Sequence, residues 1–435
     1  MGKVFFRIRP LKELKMSNNQ AFNASQHTPM PPGFESFSPR LIQGVAHFPL
    51  YYMRGGTSTG VVLWEPHLPQ SLELKEELIR RVMGVPLSGE TKGNKQINGL
   101  GRGPATSNKV FLLNTYDGPE ADLSSTLAQL AADKSAIDWS VNCGNMSSAL
   151  PIYALETGLI QAQKPLTQLR IFNTNTKVIT DARLSTPQGN SMVPADTEIP
   201  GVMGEFPGVE LSLREPIGAK TGKLFPTGNR KDVFAGVTAS CLDVAVPMVI
   251  VSAAELGQNG DETPDALNRD QALLGRLREI WVEAGLKMAL KKRNGELMTR
   301  TELENSETVP KICMVSPPKR SGHIMVRYFT PQSAHNSLAV TGGCCLATAC
   351  LLPGTVAHDV AQNLTGFSND QQEIVVDMEN PAGMLRARIC GALSGEGASI
   401  PWAAYTRNTQ VFMRGYMPIY TPSVELMNFF AGVSN

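Results

Sequence analysis

The feature of this sequence that most constrains its fold is a pair of similar helix entrances far apart in the chain. The first, Val141–Asn145, reads VNCGN and runs into an apolar stretch over 144–158. The second, Val340–Cys344, reads VTGGC and runs into another over 341–352. Both stretches are apolar around most of the helix, which is typical of a helix wrapped on all sides by its own domain. The pair predicts two similar lobes, each around a central helix, with both helix N-termini facing a shared cleft.

Elsewhere, short β-branched and aromatic runs alternate with glycine-rich turns and a few helical patterns. The hydrophobic periodicity predicts helices over 71–83, 144–158, 265–291 and 341–352, and strands over 61–64, 110–114, 168–172, 245–251, 311–315 and 324–329. A dominant alternation of strand and helix is absent, which argues against a doubly wound parallel sheet. The sequence therefore predicts a mixed fold with mostly short strands.

The length of the chain, 435 residues, is long for one compact core and sufficient for two domains. Ordered structure is expected from Val45 onward, since residues 17–40 are rich in Asn, Ser and Pro. Residues 1–44 are therefore predicted to be a flexible N-terminal extension. The basic residues 1–15 leave two interpretations open, an unstructured segment and a mitochondrial presequence, and we expect the former.

Charge and cysteine content exclude several classes of protein. Lys and Arg number 40 against 39 Asp and Glu, which leaves no uncompensated basic field for nucleic acid or an acidic membrane. No apolar run approaches the ~18 residues that a membrane-spanning helix needs. The 7 cysteines are odd in number and lack Cys-x-x-Cys spacing. We therefore expect neither a disulfide framework nor a metal site, and a cytoplasmic location.

Two glycine-rich segments precede predicted strands and are candidates for binding an anion. In the first, Arg54–Gly60, backbone N–H groups and the hydroxyls of Thr57 and Ser58 can hold a carboxylate or phosphate. An ordinary strand-to-strand turn is the alternative. The second, Asn98–Lys109, ends at a strand entrance, where Lys109 is either a buried amine with a lowered pKa or a solvated lysine. Neither segment opens the helix that a P-loop or a dinucleotide-binding motif requires.

Cys143 is the sharpest local signal in the sequence. A helix N-terminus supplies partial positive charge and unpaired N–H donors, which favour the thiolate and can also hold a substrate carboxylate. The alternative is a small buried cap residue. The remaining cysteines lie in apolar segments and are assigned to the core.

Two further polar segments carry candidate ligands. His335 precedes the second helix entrance, where it either orients a substrate or caps a turn. Lys223 lies in the turn-rich segment Thr221–Asn229, whose role the residues alone leave open.

Taken together, these segments resemble the 2-methylaconitate isomerase family (PrpF-like), which also contains aconitate isomerases and 4-oxalomesaconate tautomerases. The resemblance covers the chain from Tyr52 onward, in segments 54–60, 99–113, 142–158, 222–229, 309–315, 328–343 and 406–420. It implies an α+β, diaminopimelate epimerase-like fold: two lobes, each a curved and mainly antiparallel sheet around a central helix, with the site between them. The lobes would span 45–182 and 183–401, with 402–435 packing back on the first.

The resemblance also implies the chemistry. Family members shift a proton in unsaturated tricarboxylates without a metal or an organic cofactor, using a lysine and the cysteine of an Asn-Cys-Gly-Asn motif, which here are Lys109 and Cys143. The residues that would bind the substrate are Arg54, Gly56, Thr57, Ser58, Ser107, Asn142, Gly144, Asn145, Lys223, Lys311, His335, Thr341 and Gly342. The expected partner is a small tricarboxylate, with no nucleic acid and no membrane, and a homodimer is left open.

Departures from the family pattern bear on the substrate. Diaminopimelate epimerases need a second thiol just before the second glycine-rich turn, where this chain has Ala339 and Val340, which disfavours two-thiol racemisation of an amino acid. Thr59 stands where the family often has a basic residue, and Asn108 where a serine commonly precedes the lysine. We therefore expect an isomerase of an aconitate-like acid. An amino-acid epimerase and a non-catalytic binding protein are the alternatives.

Overall fold

A computed structural model describes residues 37–103, 107–139, 142–292, 294–306, 308–395 and 397–433. Its strands are β1 (Arg40–Ile42), β2 (Val45–Gly55), β3 (Ser58–Trp64), β4 (Lys109–Thr115), β5 (Leu123–Leu130), β6 (Ile137–Asp138), β7 (Leu166–Asn173), β8 (Val178–Ser185), β9 (Ala195–Thr197), β10 (Phe206–Arg214), β11 (Asp232–Phe234), β12 (Val237–Val244), β13 (Val246–Ser252), β14 (Lys311–Ser316), β15 (Ile324–Phe329), β16 (Gln372–Asn380), β17 (Gly383–Ser394) and β18 (Gly397–Ile419). Its α-helices are α1 (Leu72–Met83), α2 (Gly144–Ser147), α3 (Ala149–Glu156), α4 (Pro264–Arg269), α5 (Gln271–Lys287), α6 (Arg300–Glu304), α7 (Val340–Cys350), α8 (Val356–Val360) and α9 (Val424–Val433).

The strands pair in the same order in the two halves of the chain. In the first half, β2 and β3 are antiparallel, β3 and β4 parallel, β4 and β5 antiparallel, β5 and β7 parallel, and β7 and β8 antiparallel. In the second half, β12 to β17 repeat this order. Helices connect the parallel neighbours in both halves: α1 and then α2–α3 in the first, α4–α6 and then α7–α8 in the second. The two halves therefore share one topology.

The 23-residue strand β18 joins the two halves. Its residues 402–408 pair with β10, and its residues 409–419 pair with β2. Because β10 also pairs with β8, the first half closes into a ring of strands. The second half closes through β17, β18 and β10, and through a bridge between Ile217 and Val244. The lobes thus share β10 and β18, and the boundaries 45–182 and 183–401 stay predictions.

A buried helix fills each ring of strands. Every residue of α3 from Ala149 to Leu155 is buried, and so is every residue of α7 except Thr341. Both helices lie in one continuous core, with inward-facing strand residues such as Phe111 and Tyr328. The two wrapped helices that the sequence predicts are therefore confirmed. Neither helix has a solvent-facing polar stripe, so tertiary packing is what holds each of them in place.

Alternate residues of the strands also face outward onto surface helices. In β4, Phe111 and Leu113 face the central helix, whereas Val110 and Leu112 pack against residues of α1 and α9. Helix α5 covers the outer face of the second lobe in the same way. Burial on both faces explains why β4 is a continuous apolar run rather than an alternating one.

Two of the predicted helices are interrupted. The predicted helix 144–158 is two helices, α2 and α3, which meet at Ser148. The interruption follows from Pro151, which has no N–H to donate to the preceding turn. The predicted helix 265–291 breaks at Asp270, whose side chain caps α5 by accepting a hydrogen bond from its first turn. Helices over 71–83 and 341–352 agree with α1 and α7 to within a few residues.

Ordered structure begins before residue 45, where the sequence predicted it. Residues 40–42 form β1, which pairs with β2, and Leu41 packs into the apolar cluster beneath α9. This contact corrects the C-terminal end of the predicted extension. Residues 1–36, which include the basic segment 1–15, lie outside the described residues, as do 104–106 of the second glycine-rich segment and Val141 of the first helix entrance. Within the described ranges, no helix is long and apolar enough to cross a membrane.

Candidate active site

The two helix entrances open onto one cleft of about 730 Å³. Residues 142–145 line its first-lobe side, and residues 335–341 line its second-lobe side. Tyr405 and Arg407 of β18 also line it, while none of the described lining residues is an Asp or Glu. The shared cleft predicted from the sequence is therefore present, and its surroundings suit an anion.

Cys143 is the N-cap residue of α2 and is half-buried. Its N–H donates to Asn142 Oδ1 at 2.7 Å, and its carbonyl accepts from the Ser147 N–H at 2.9 Å, which fixes the start of the helix. Its Sγ lies 3.9 Å from Ser58 Oγ. The other cysteines are all buried, and burial raises their pKa values, that of Cys344 to about 12. Cys143 is thus the accessible thiol of the chain.

Lys109 is the first residue of β4 and is only 5% exposed. The neighbouring strand approaches it closely, because a Cβ on Gly60 would lie 2.6 Å from the Lys109 carbonyl oxygen. Burial lowers the pKa of the Lys109 amine, and the charge of a Cys143 thiolate opposes that shift. Lys109 is therefore a buried amine whose charge interacts with that of a Cys143 thiolate. It is not among the described residues that line the cleft, and its catalytic role stays a prediction.

The first glycine-rich turn packs directly onto the Asn-Cys-Gly-Asn segment. Gly56 has φ +52°, and a Cβ there would lie 2.3 Å from Asn145 Oδ1, so the turn requires glycine. Asn145 Nδ2 donates to Thr57 Oγ1 at 3.2 Å, and Asn145 Oδ1 accepts from Arg407 Nε at 2.8 Å. These bonds fix Asn145 against β18 next to Cys143.

The second helix entrance presents a histidine and, near it, a lysine. His335 Nδ1 accepts a hydrogen bond from the Ser337 N–H at 2.9 Å, so the neutral ring carries its proton on Nε2. Burial lowers the pKa of His335, and the positive charge of Lys311 lowers it further. Lys311 is the first residue of β14, and burial lowers its pKa to about 8. The two lobes therefore place a lysine at equivalent strand starts.

Some of the predicted substrate-binding residues line the cleft and others do not. Those that line it are Thr57, Asn142, Gly144, Asn145, His335 and Thr341. Those that do not are Arg54, Gly56, Ser58, Ser107, Lys223, Lys311 and Gly342. Lys223 is exposed on the loop after β10, where Asp243 accepts hydrogen bonds from the Thr221 N–H and hydroxyl. That internal network accounts for the turn-rich sequence of the loop without a ligand.

Arg54 and Gly342 have structural contacts beneath the lining. Arg54 is buried at the end of β2, and its Nη1 donates to Asn408 Oδ1 at 2.7 Å, which ties β2 to β18. Gly342 lies under the ring of Tyr328, where a Cβ would lie 2.4 Å from Cε2. Both residues thus shape the walls of the cleft. Among the described residues, no group of three or more His, Cys, Asp or Glu side chains could hold a metal ion.

Sequence reasoning missed Arg407, which lies in the cleft wall. It bonds Asn145 across 262 positions of sequence, and only the folded sheet brings the two together. It lies in a long strand with no local glycine or capping signal. The sequence feature that could have identified Arg407 is its place in residues 406–420, which are one of the segments that carry the family resemblance.

Fold and site together define a two-lobed α+β protein with a cysteine at an interlobe cleft and a buried lysine whose charge acts on that cysteine. Residues 45–422 match the family model described as PrpF protein, and the chain belongs to that family. It is 35% identical over 373 residues to YbhH of Escherichia coli (strain K12), covering 85% of this chain and 99% of that protein. The PrpF-like resemblance is therefore confirmed.

Two further comparisons concern relatives named for a reaction. The chain is 34% identical over 357 residues to the 4-oxalomesaconate tautomerase of Pseudomonas putida (strain KT2440), covering 81% of this chain and 93% of that protein. The crystal structure of methylitaconate-delta-isomerase matches with a TM-score of 0.75 at 27% identity. That match covers 88% of this chain and 98% of the crystallised one, so the whole two-lobed architecture is shared.

Proposed function

We propose that this protein is an isomerase that shifts a proton and a double bond within an aconitate-like unsaturated tricarboxylate. Lys109 and Cys143 form its acid/base pair, and neither a metal nor an organic cofactor takes part. The observation that carries the proposal is an accessible thiol at a cleft whose described lining contains no acid, with the charge of a buried amine acting on that thiol. Two ionisable groups of different pKa at one site suit removal and return of a proton.

The cleft offers stabilisation where the reaction develops charge. Removing an allylic proton next to a carboxylate leaves a dienolate, whose extra negative charge spreads onto carboxylate oxygens. The first N–H groups of α2 and α7 have no partner within their own helices, and both helices begin at the cleft. N–H donors placed at developing negative charge lower the barrier. One member of the pair takes the allylic proton, and the other donates a proton at the far carbon.

The same intermediate allows a second outcome. In the dienolate, the former double bond has single-bond character, so the chain can rotate about it. Return of a proton to the original carbon then gives the other geometric isomer, with no net gain or loss of protons. Double-bond migration and cis–trans conversion therefore share the first step, and exchange of the allylic proton with solvent reports on both.

Two relatives support the proposed class of substrate, and the second lobe argues against an amino-acid epimerase. The tautomerase and the crystallised isomerase are named for oxalomesaconate and methylitaconate, which are unsaturated polycarboxylic acids. An amino-acid epimerase that uses two thiols would need the second at the start of α7. The N-cap of α7 is Ala339, in the position that Cys143 has at α2.

The test is proton NMR of the purified protein in deuterium oxide with cis-aconitate, trans-aconitate, 2-methylaconitate, 4-oxalomesaconate and 3-methylitaconate. We expect double-bond migration, or deuterium at the allylic carbon, for at least one acid. If none of the acids reacts but one of them raises the unfolding temperature of the protein, the result would favour a binding protein instead. Deuterium entering the α-carbon of an amino acid would favour the epimerase.

A further inference from the structure

Arg407 is a buried cation in the wall of the cleft. It is 5% exposed, yet it lines the cleft together with Cys143 and Asn145. It lies in β18, where residues 402–408 pair with β10. A guanidinium is the side chain best shaped for a planar carboxylate, because its N–H groups form a fork that matches two oxygens.

The hydrogen bonds of Arg407 leave one end of its guanidinium unused. Nε donates to Asn145 Oδ1 at 2.8 Å, and Nη1 donates to the Thr406 carbonyl at 2.9 Å. Nη2 donates to none of the described residues, and it is not one of the fully enclosed unpaired atoms. Since the residue lines the cleft, Nη2 is available to a ligand there.

No described carboxylate compensates the charge of Arg407. None of the described Asp and Glu residues forms an ion pair with Arg407, and Tyr405, Cys344 and Cys143 are the ionisable groups that act on its charge. Burial lowers the pKa of its guanidinium, because the charged form loses its hydration when it is removed from water. A buried charge of this kind is normally paired. The missing partner points to a carboxylate supplied by the ligand.

We infer that Arg407 binds one carboxylate of the substrate, with Asn145 holding the guanidinium in place. The inference rests on the proposed function for the identity of that substrate, and it adds a binding residue on β18. The start of α7 faces the opposite side of the same cleft, with His335 and Thr341. A substrate held at both walls needs carboxylates at both ends of its carbon chain.

Arg54 provides a contrast within the same structure. It is also buried, its Nη1 donates to the Gly56 carbonyl and to Asn408, and its guanidinium stacks on Phe206 at 4.5 Å. Its Nη2 has no partner among the described residues either, but that atom is fully enclosed by the protein. It does not line the cleft. Arg54 therefore positions the turn before β3, whereas Arg407 faces the ligand.

The test uses tricarballylate, a saturated tricarboxylate that cannot isomerise, so that binding is measured apart from turnover. We compare its dissociation constant by calorimetry for wild type, Arg407→Gln and Arg407→Lys. Loss of a charge-assisted hydrogen bond should weaken binding by roughly 10- to 100-fold in Arg407→Gln. Arg407→Lys keeps the charge without the fork and should recover part of the loss. Arg386→Met, which removes an exposed arginine paired with Asp377, is the matched control and should bind as wild type.

A second measurement observes binding in the wild-type protein and uses a variant only to assign the signal. In wild-type protein labelled with ¹⁵N-arginine, tricarballylate should shift a guanidinium signal that is missing from Arg407→Lys. An unshifted signal overturns the inference, and so does binding by a folded Arg407→Gln within twofold of wild type. Tight, Arg407-dependent binding by a protein that turns over no acid would sustain this inference while refuting the proposed function.

Discussion

The two halves of this protein share one order of strand pairing but carry different chemical groups at equivalent places. Each half has a strand that begins with a lysine, Lys109 in β4 and Lys311 in β14. Each has a central helix that begins at the cleft, where the N-cap residue is Cys143 in one half and Ala339 in the other. Both halves therefore have a lysine at this strand start, but only the first half has a thiol at the helix N-cap.

The difference separates the tasks of the two halves. Only the first half combines an accessible thiol with a buried amine, which is what proton removal and return require. The second half offers Lys311, whose pKa is lowered to about 8, and His335, which is held with its proton on Nε2. These groups donate hydrogen bonds and positive charge without a second thiol. Under the proposed function, the first half holds the groups that transfer the proton, and the second half adds groups that bind the substrate.

The largest effect is expected from Cys143→Ala. Removing the thiol takes away one of the two proton carriers, and turnover should fall by ~10²- to 10⁴-fold. The chain should stay folded, because Cys143 is half-buried at the margin of the core, whereas the other six cysteines are buried. Initial rates and the unfolding temperature check this. Cys390→Ala, which removes a buried thiol elsewhere, should keep the wild-type rate, and a fully active Cys143→Ala would remove the thiol from the mechanism.

A loss of similar size is expected from Lys109→Met. The substitution removes the second proton carrier and, with it, the positive charge beside Cys143, so turnover should fall by ~10²-fold or more. Initial rates with the acid that isomerises in the NMR test measure the loss.

Lys109→Arg distinguishes the two contributions of that residue. Arginine keeps the charge but holds its proton at every accessible pH, so turnover should stay as low as in Lys109→Met. Lys319→Met, at an exposed lysine paired with Asp261, is the control. Wild-type turnover in Lys109→Arg would show that only the charge matters.

A smaller effect is expected from Lys311→Met, and it should appear mainly in KM. The ammonium form favours an anionic substrate, and it is lost as pH rises through about 8. Wild-type KM should therefore increase between pH 7 and 9, while Lys311→Met should show a KM about tenfold higher at pH 7 and a flatter pH dependence. If turnover instead fell by roughly a hundredfold while KM stayed unchanged, the second half would have a part in proton transfer.

The smallest effect is expected from Ala339→Cys, which gives the second half the thiol that the first half has. Isomerase turnover should stay within a few-fold of wild type, because Lys109 and Cys143 are unchanged. The new thiol should react with iodoacetamide, since Ala339 lines the cleft. Deuterium entering the α-carbon of an amino acid in this variant alone would show that one thiol is all that separates the two activities.

Local patterns predicted those parts of the fold and site that are set by neighbouring residues. The helix entrances, the short strands and the lysine before β4 follow from apolar periodicity and glycine-rich turns. The break at Asp270 was missed, because one capping side chain outweighs a continuous helical pattern. Lys223 was named as a candidate ligand of the substrate because its loop is polar and rich in turns. In the structure, polar groups of that loop bond to Asp243. Arg407 could not be found locally, because its partner lies 262 positions away.

Strand β18 also has a consequence for how the protein is made. It is the last of the described strands to be synthesised, and yet it completes both rings, pairing with β2 in one and β17 in the other. Until it emerges from the ribosome, β2 and β10 keep unpaired edges that invite aggregation. The hydrogen bond from Arg54 to Asn408 spans 354 positions, so folding here depends on very distant contacts and should be slow. The nascent chain therefore has no active cleft for nearly the whole of its synthesis.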